Sequence, residues 1–321
     1  MRKGLSISLI PLVLRHVNGI RRVASIVGKQ AISQLEFAEK CRRYQQEASA
    51  HVDSLSRVAE AIWNTEGLSI TFAKHGLFEN TLNDSRIPRE SLGIAHVGYG
   101  IVSAEYVRFN IEKLREILET KCEPNYRGFA CEGIGSALLL YEPGFFRVLN
   151  RAIGVVPRGA PVSPDKTGFF AKFFSAFPPE AQRQLAHGYG RLTGFSTLSV
   201  YKTIRDGLGL PPEHAKPFIQ GVAVAYGMLN CLDLPRLLDN SDSLSPEPIR
   251  ATFQNGLVWV LSYCDWFAPG LLAAWRPQGR LEEKLLELAR GESAFNRKRG
   301  YPLVGALENP IGASAERRAP V

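Results

Sequence analysis

Apolar residues recur along much of this 321-residue chain at the three- and four-residue spacing of an amphipathic helix. Residues 37–65 carry one such stripe, formed by Phe37, Cys41, Tyr44, Ala48, Val52, Leu55, Ala59 and Ile62. Residues 89–119 carry a second, formed by Ile94, Val97, Ile101, Ala104, Val107, Ile111, Leu114 and Leu118. A period near 3.6 predicts helices that bury one face, and no segment shows the sustained alternation of a strand. The pattern therefore predicts an all-α protein, whose first long helix stops at Gly67.

The predicted helices form two groups separated by a linker. Residues 154–168 hold Pro157, Pro161 and Pro164 together with three glycines, a composition that breaks regular structure. Before this linker a third helical pattern covers 126–141, and after it further patterns cover 179–206, 213–230, 246–265 and 281–290. We expect two helical halves of glycine-containing helices, packed into one globular body. Their bounds are 36–153 and 169–291, with a basic N-terminal arm at 1–35 and a loosely ordered tail at 292–321.

Two predicted helices share a short motif of histidine, glycine and tyrosine. His96 precedes Gly98-Tyr99-Gly100, and His187 precedes Gly188-Tyr189-Gly190. A glycine inside a helix costs about 1 kcal/mol relative to alanine, and it is tolerated where another backbone or a ligand must come close. We take His96, Tyr99, His187 and Tyr189 as candidate ligand-binding residues. The alternative is a histidine held in the core or at the surface with no ligand.

The stretch from Arg127 to Gly133 combines two charges with two glycines in an otherwise apolar helix. Arg127 and Glu132 must be paired, hydrated or bound to something if they are buried. One interpretation is an Arg127–Glu132 pair that braces two helices. The other is a ligand anchor, with Gly128 and Gly133 giving the ligand access to the backbone.

Two further stretches are candidates for an apolar binding surface. Five phenylalanines, at positions 169, 170, 173, 174 and 177, favour packing in the core or the wall of an apolar cavity. Gln254 begins the mostly apolar segment that runs to Leu261, so it is either a ligand contact or a polar group at a helix end.

The charge is concentrated at the N-terminus. Residues 1–35 hold six basic residues and no acidic one, while the net charge of the whole chain is +8. The remaining body is nearly neutral, which argues against nucleic-acid binding. The apolar run from Leu5 to Leu14 is too short to span a bilayer, so residues 1–30 are a candidate for contact with an anionic membrane surface.

Known catalytic and cofactor motifs are missing from the sequence. It contains no P-loop, dinucleotide fingerprint, zinc-protease motif or nucleophile elbow, and we predict no metal and no cofactor. The five cysteines are odd in number and have no CxxC spacing, which favours buried thiols in a reducing, cytoplasmic environment. No catalytic triad can be assembled, so the sequence does not decide whether the protein is an enzyme.

The order of these segments resembles one bacterial family. Arg127-Gly-Phe-Ala-Cys-Glu-Gly133, followed by Ala137-Leu-Leu-Leu140, resembles the Arg-Gly-Phe-Ala-x-Glu-Gly motif of the UnbL-like proteins. The stretches His187-Gly-Tyr-Gly-Arg-Leu192 and Gln220-Gly-Val-Ala-Val-Ala-Tyr-Gly227 fall where that family has His- and Gly-containing helices. Phe253-Gln-Asn-Gly-Leu-Val-Trp259 is similar to its Phe-x-Gln-Gly-Leu-Gly-Arg block, although the final arginine is replaced. The resemblance spans residues 85–270 and is that of a divergent member of the family.

UnbL-like proteins are encoded beside enediyne polyketide synthases and in other bacterial natural-product clusters. The resemblance therefore implies a helical fold and a context in secondary-metabolite, or antibiotic, biosynthesis, with no established reaction. We expect an accessory protein that binds an apolar intermediate or a chain borne on a carrier protein. The alternative is a cytoplasmic helical scaffold or effector that acts through protein contacts or, through its basic arm, through a membrane surface.

Overall fold

The computed structural model describes residues 31–140, 172–196, 210–230 and 246–305, together with residues 200, 203, 204, 237, 241 and 244. The helices with described bounds are α1 Gln34–Ala50, α2 Leu55–Lys74, α3 Arg89–Tyr106, α4 Ile111–Thr120, a 3₁₀ turn Pro124–Tyr126, α5 Arg127–Leu140, α6 Pro179–Ser196, α7 Pro212–Leu229, α8 Glu247–Phe267, α9 Leu271–Ala274 and α10 Arg280–Arg299. These residues contain no strand, and the all-α prediction is confirmed. The N-terminal segment 1–30 and the predicted linker 154–168 lie outside the described residues.

Both long N-terminal helices are interrupted, which the apolar period alone did not predict. The stripe at 37–65 divides at residues 51–54, and its second part is α2, which runs through the buried Gly67 to Lys74, so the predicted stop at Gly67 is wrong. The stripe at 89–119 divides because Arg108 and Phe109 adopt positive φ angles of 51° and 56°, which no helix can contain. Asn110 then caps α4 by accepting a hydrogen bond from the Lys113 amide at 3.0 Å.

The last helix is longer than predicted. The sequence pattern ended at residue 290, but α10 continues to Arg299 and stops at Gly300, whose φ of 89° is a left-handed helix end. The extension is held by Asp265 of α8, which accepts hydrogen bonds from Ser293 at 2.5 Å and Arg297 at 2.9 Å. The predicted loose tail therefore does not begin at 292, and residues 306–321 lie outside the described part of the chain.

The two halves share one continuous core. Consecutive neighbours in space are α1, α2, α3, α5, α6, α7, α8 and α10, so the contact between α5 and α6 joins the halves. α8 also touches α1, α2 and α3, which brings it back against the N-terminal half. Buried side chains from both halves form a single hydrophobic cluster. This confirms the prediction of one globular body.

Glycines bring the helix backbones together at successive interfaces. A methyl group on any of these glycines would overlap a carbonyl oxygen of the facing helix: Gly100 with Ala130, Gly133 with Val97, Gly135 with Leu185, Gly188 with Glu132, Gly190 with Phe218 and Gly221 with His187. Gly98 faces the carbonyl of Glu66 in the same way. The two Gly-Tyr-Gly helices therefore make equivalent contacts, because the first glycine of each rests on the backbone of a glutamate in the preceding helix.

The described phenylalanines of the predicted aromatic segment belong to the core. Phe173, Phe174 and Phe177 are buried, and Phe173 packs edge-on against Phe109 with ring centroids 5.5 Å apart. Positions 169 and 170 lie outside the described residues. Four cysteines are buried free thiols, at positions 41, 122, 131 and 264. These thiols and rings act as ordinary apolar groups in this fold.

Candidate functional site

The most polar part of the interior lies where four helices meet. Glu66 comes from α2, Glu132 from α5, His187 and Arg191 from α6, and Tyr263 from α8. His187 and Arg191 are four residues apart, so they lie on the same face of α6 and both reach Glu132. Gly188 lies between them and allows the backbone of α6 to touch the carbonyl of Glu132. This close approach places three ionisable side chains within direct contact in the core.

Arg191 is the centre of this network. Its guanidinium binds both oxygens of Glu66, at 2.7 and 3.3 Å, and its Nε atom lies 3.1 Å from Oε1 of Glu132. Burial lowers the pKa of Arg191, but the two carboxylates raise it by more, so this side chain stays charged. One guanidinium therefore faces two carboxylates.

Glu132 is held as an anion although it is almost fully buried. Burial by itself raises the pKa of Glu132, but His187 and Arg191 together lower it by more, so its pKa lies below the usual value. His187 Nδ1 lies 3.4 Å from Oε1 of Glu132. Burial is also the main cause of a strongly raised pKa for Tyr263, and the charge of Glu132 adds to it. The Tyr263 side chain therefore keeps its proton.

Several polar atoms of this cluster have no hydrogen-bond partner among the described residues. They are Oε2 of Glu132, both ring nitrogens of His187, Nε of Arg191 and the hydroxyl of Tyr263. Nδ1 of His187 and Nε of Arg191 lie 3.4 and 3.1 Å from Oε1 of Glu132, yet neither contact has the geometry of a hydrogen bond. A buried polar atom without a partner costs about 1–3 kcal/mol, so proteins rarely leave such atoms together unless water or a ligand satisfies them.

A cavity adjoins these atoms. Its volume is about 30 Å³, room for water or for one end of a larger molecule. The lining is mostly apolar and aromatic: Ile62, Trp63, Glu66, Ile94, Val97, Phe129, Glu132, Arg191, Phe195, Val224, Met228, Trp259, Val260 and Tyr263. Trp63, Glu66 and Phe195 are only half-buried, so these three residues mark the side of the cavity that faces the surface.

The opposite side of the cluster is covered by the segment that follows α10. Trp259 donates its indole N–H to the carbonyl of Leu303 at 2.6 Å, and its ring meets His187 edge-on at 5.1 Å. Gly305, with φ of 62°, lies so close to His187 that an added methyl group would be 3.0 Å from the imidazole ring. Residues 301–305 therefore close this side of the site.

The predicted pair of Arg127 and Glu132 does not form. Arg127 donates a hydrogen bond to the carbonyl of Glu119 at 3.1 Å and is only half-buried, whereas Glu132 points to α6. Five residues advance a helix by about 500°, which places the two side chains on different faces. The buried arginine–glutamate brace predicted from sequence exists with Arg191 in place of Arg127.

The two glycines of that stretch lie at helix contacts. Gly133 rests on the carbonyl of Val97, and Gly128 faces the side chain of Gln184. Neither glycine lines the cavity, so the structure does not connect the predicted backbone access at these two positions with this cavity.

Most of the other predicted site residues have structural partners. His96 is fully buried, donates its Nδ1–H to the carbonyl of Leu92 at 2.7 Å, and accepts the amide N–H of Glu123 at Nε2 at 3.0 Å. Tyr99 donates to the carbonyl of Leu77 at 2.6 Å. Neither residue lines the cavity. The alternative interpretation of a satisfied core histidine therefore describes His96.

The last two candidates lie away from the charged cluster. Tyr189 packs on Phe218 with ring centroids 5.5 Å apart, and Gln254 donates to the hydroxyl of Ser241 at 3.2 Å. Of the nine residues predicted from sequence, only Glu132 and His187 belong to the cluster, and only Glu132 lines the cavity.

Sequence reasoning missed Glu66, Arg191, Trp259 and Tyr263. A charged residue four positions after His187 on a glycine-rich helix was the available signal for Arg191. Glu66 gave none, since it follows other polar residues near Gly67. Trp259 and Tyr263 lie one helical turn apart, a spacing that also occurs in the apolar stripe of any buried helix, so the sequence did not mark them as site residues.

Comparison with known proteins adds no relative. No family model, curated protein or solved structure matches this chain.

Within the described ranges, no group of three or more His, Cys, Asp or Glu side chains is arranged to hold a metal ion. Among the same residues, no helix has the length and apolar character required to cross a membrane.

Proposed function

We propose that this protein binds an apolar small molecule, or the end of a carrier-borne chain, in the cavity beside Glu132 and Arg191. The observation that carries this proposal is the cluster of unpartnered buried polar atoms on one wall of an aromatic cavity. An apolar wall with a few convergent polar groups is the usual composition of a small-molecule site.

The size of the cavity sets how such a ligand lies. A volume of about 30 Å³ holds a polar end group but not a long chain. The remainder of the ligand then lies toward Trp63 and Phe195, the half-buried part of the lining. This arrangement suits a chain that is carried on another protein, because only its free end enters.

The biological setting is proposed from the Arg127–Gly133 motif and its resemblance to the UnbL-like proteins. In that setting the chain is an accessory protein of bacterial natural-product biosynthesis. Deleting its gene in the bacterium that encodes it should abolish or truncate one secondary metabolite, as seen by mass spectrometry of culture extracts. An unchanged metabolite profile under producing conditions would remove the biosynthetic part of the proposal.

Ligand binding itself is tested with the full chain. The purified protein is incubated with an organic extract of the same bacterium, passed through gel filtration and denatured, and the released compounds are identified by mass spectrometry. Val224→Phe, which fills the cavity from α7, should lose the retained compound. Tyr106→Ala, which changes an exposed aromatic residue elsewhere, should retain it.

Two outcomes separate the binding proposal from the scaffold alternative. Retention of one apolar compound that Val224→Phe loses supports binding. If wild type retains no compound, or if wild type and Val224→Phe retain the same compounds, the cavity is not a ligand site. Sedimentation of the protein with anionic vesicles, lost on removal of residues 1–30, would then favour action at a membrane surface through the basic arm.

A further inference from the structure

We infer that the cavity selects a protonated amine at the end of its apolar ligand and rejects a carboxylate. This inference deepens the proposed function and rests on it. It starts from the charge of the site: Glu66 and Glu132 face the single guanidinium of Arg191. The cluster therefore holds two carboxylates against one guanidinium.

The two carboxylates are not equally neutralised. Arg191 gives Glu66 two hydrogen bonds, at 2.7 and 3.3 Å, and gives Glu132 only a close contact through Nε. Oε2 of Glu132 has no partner, and the Glu132 side chain is only 2% exposed. Glu132, the deeper of the two carboxylates, is therefore less completely paired with Arg191 than Glu66 is.

Two of the unpartnered atoms on the cavity wall, Oε2 of Glu132 and the hydroxyl of Tyr263, match the hydrogen-bonding capacity of an ammonium group. An ammonium group has three N–H donors and no acceptor. Oε2 of Glu132 is an acceptor, and the hydroxyl of Tyr263, which also lines the cavity, can accept as well as donate. A carboxylate ligand would bring only acceptors, and it would place a second negative charge against Glu132.

The aromatic walls favour the same charge. Phe129, Trp259 and Tyr263 surround this end of the cavity, and the rings of Trp259 and Tyr263 are stacked 5.4 Å apart. The faces of aromatic rings attract cations, most strongly when the cation has left water. The same rings cannot ligate a metal ion, so an organic cation fits the lining where an inorganic one does not.

The test compares three ligands that share a six-carbon chain and differ only at the end. They are n-hexylamine, n-hexanol and n-hexanoate, titrated at pH 7.5 into the full-length protein. At this pH the amine is protonated and the acid ionised. Trp63 and Trp259 line the cavity, so tryptophan fluorescence reports binding, and calorimetry measures the dissociation constants independently.

We expect n-hexylamine to bind at least tenfold more tightly than n-hexanol, and n-hexanoate to bind more weakly than both. Glu132→Gln keeps the shape of the side chain and should reduce the preference for amine over alcohol to less than threefold. The wild-type ranking tests the inference even if this variant does not fold. Glu180→Gln changes an exposed carboxylate on α6 and should leave the ranking unchanged.

Failure of the inference differs from failure of the proposed function. If n-hexanol or n-hexanoate binds as tightly as n-hexylamine, the charge selection is wrong while the cavity remains a ligand site. If n-hexylamine binds best but Glu132→Gln keeps the same preference, the amine binds elsewhere and the inference is overturned. If none of the three binds, the proposed function is lost together with the inference.

Discussion

Arg191 and Glu66 form a bidentate ion pair between helices whose sequence positions are 125 residues apart. The pair joins α2 of the N-terminal half to α6 of the C-terminal half, and the same guanidinium reaches Glu132 of α5. Three helices therefore depend on one buried cation. Removing one member of a buried charged network costs more than the network contributes, because the remaining charges stay buried.

Replacement of Arg191 by methionine should be strongly destabilising. Arg191→Met leaves Glu66 and Glu132 without their common partner, so we expect the free energy of unfolding to fall by about 3–5 kcal/mol. Urea denaturation followed by circular dichroism measures the change. Arg183→Met on the same helix is the control, since its pair with Glu180 is 57% and 66% exposed and should contribute less than about 1 kcal/mol. Equal effects of the two substitutions would contradict the central position of Arg191.

Glycine-to-alanine substitutions should have opposite effects at two helix positions. In Gly188→Ala the new methyl group overlaps the carbonyl of Glu132, so α5 and α6 must separate and stability falls. Gly291, inside α10, has no atom within 4 Å of the position of a methyl group, so Gly291→Ala should raise stability by up to about 1 kcal/mol. Thermal melts of both variants give the signs. A neutral Gly188→Ala would show that this interface is looser than the structure indicates.

His96 should make stability depend on pH. Burial lowers the pKa of His96 from 6.5 to about 4, although its hydrogen bond to Leu92 acts in the opposite direction. The unfolded chain then binds a proton between these two pH values while the folded chain does not, so stability falls as the pH decreases. The full contribution, about 3 kcal/mol, is present above pH 6.5 and is lost progressively down to pH 4.

Two measurements check this assignment. The His96 ring signals in an NMR titration should not change above pH 5, and the pH dependence of urea unfolding should flatten in His96→Gln. His51→Gln, which removes a half-buried histidine at the end of α1, is the matched variant that separates the loss of His96 from the loss of any histidine. A His96 titration midpoint near 6.5 would contradict its buried, neutral state.

The buried thiols should resist alkylation in the folded protein. Burial raises the pKa of Cys131 and of Cys264 to about 12, and it raises the pKa of Cys41 and Cys122 further in the same direction. Because the thiolate is the reactive form, iodoacetamide at pH 8 should modify none of these four without denaturant. In denaturant all five cysteines of the chain should react, as mass spectrometry of the peptides shows. Rapid native labelling of Cys131 would contradict the packing around α5.

The helices were predictable from sequence because each buries one apolar stripe. The helical period of that stripe identifies a helix even when its first or last residue is predicted wrongly. Their ends were less predictable. The break at Arg108 and Phe109 lies in a backbone conformation that neither residue type favours, and the extension of α10 depends on Asp265, which is distant in sequence. A tertiary contact therefore sets the end of α10, and a local backbone conformation sets the end of α3.

The site was predictable only in part for a related reason. Glu132 and His187 were identified as unusual polar residues beside glycines, but the partner of Glu132 was assigned by closeness in sequence. The actual partner comes from α6, because Gly188 allows the two backbones to touch there. One sequence does not show which helices are neighbours in space, so it could not predict that Arg191 and Glu66 belong to the site.

The dependence of Glu66 and Glu132 on Arg191 also has a consequence for synthesis on the ribosome. Both carboxylates are translated before their cation, and Glu66 precedes it by 125 residues. At the usual elongation rate of about 5–20 residues per second, roughly 6–25 seconds pass before Arg191 is made. During that interval the N-terminal half cannot bury its two acids without a large cost, so they stay in water. The α2, α3 and α5 helices therefore reach their final packing only after α6 has left the exit tunnel.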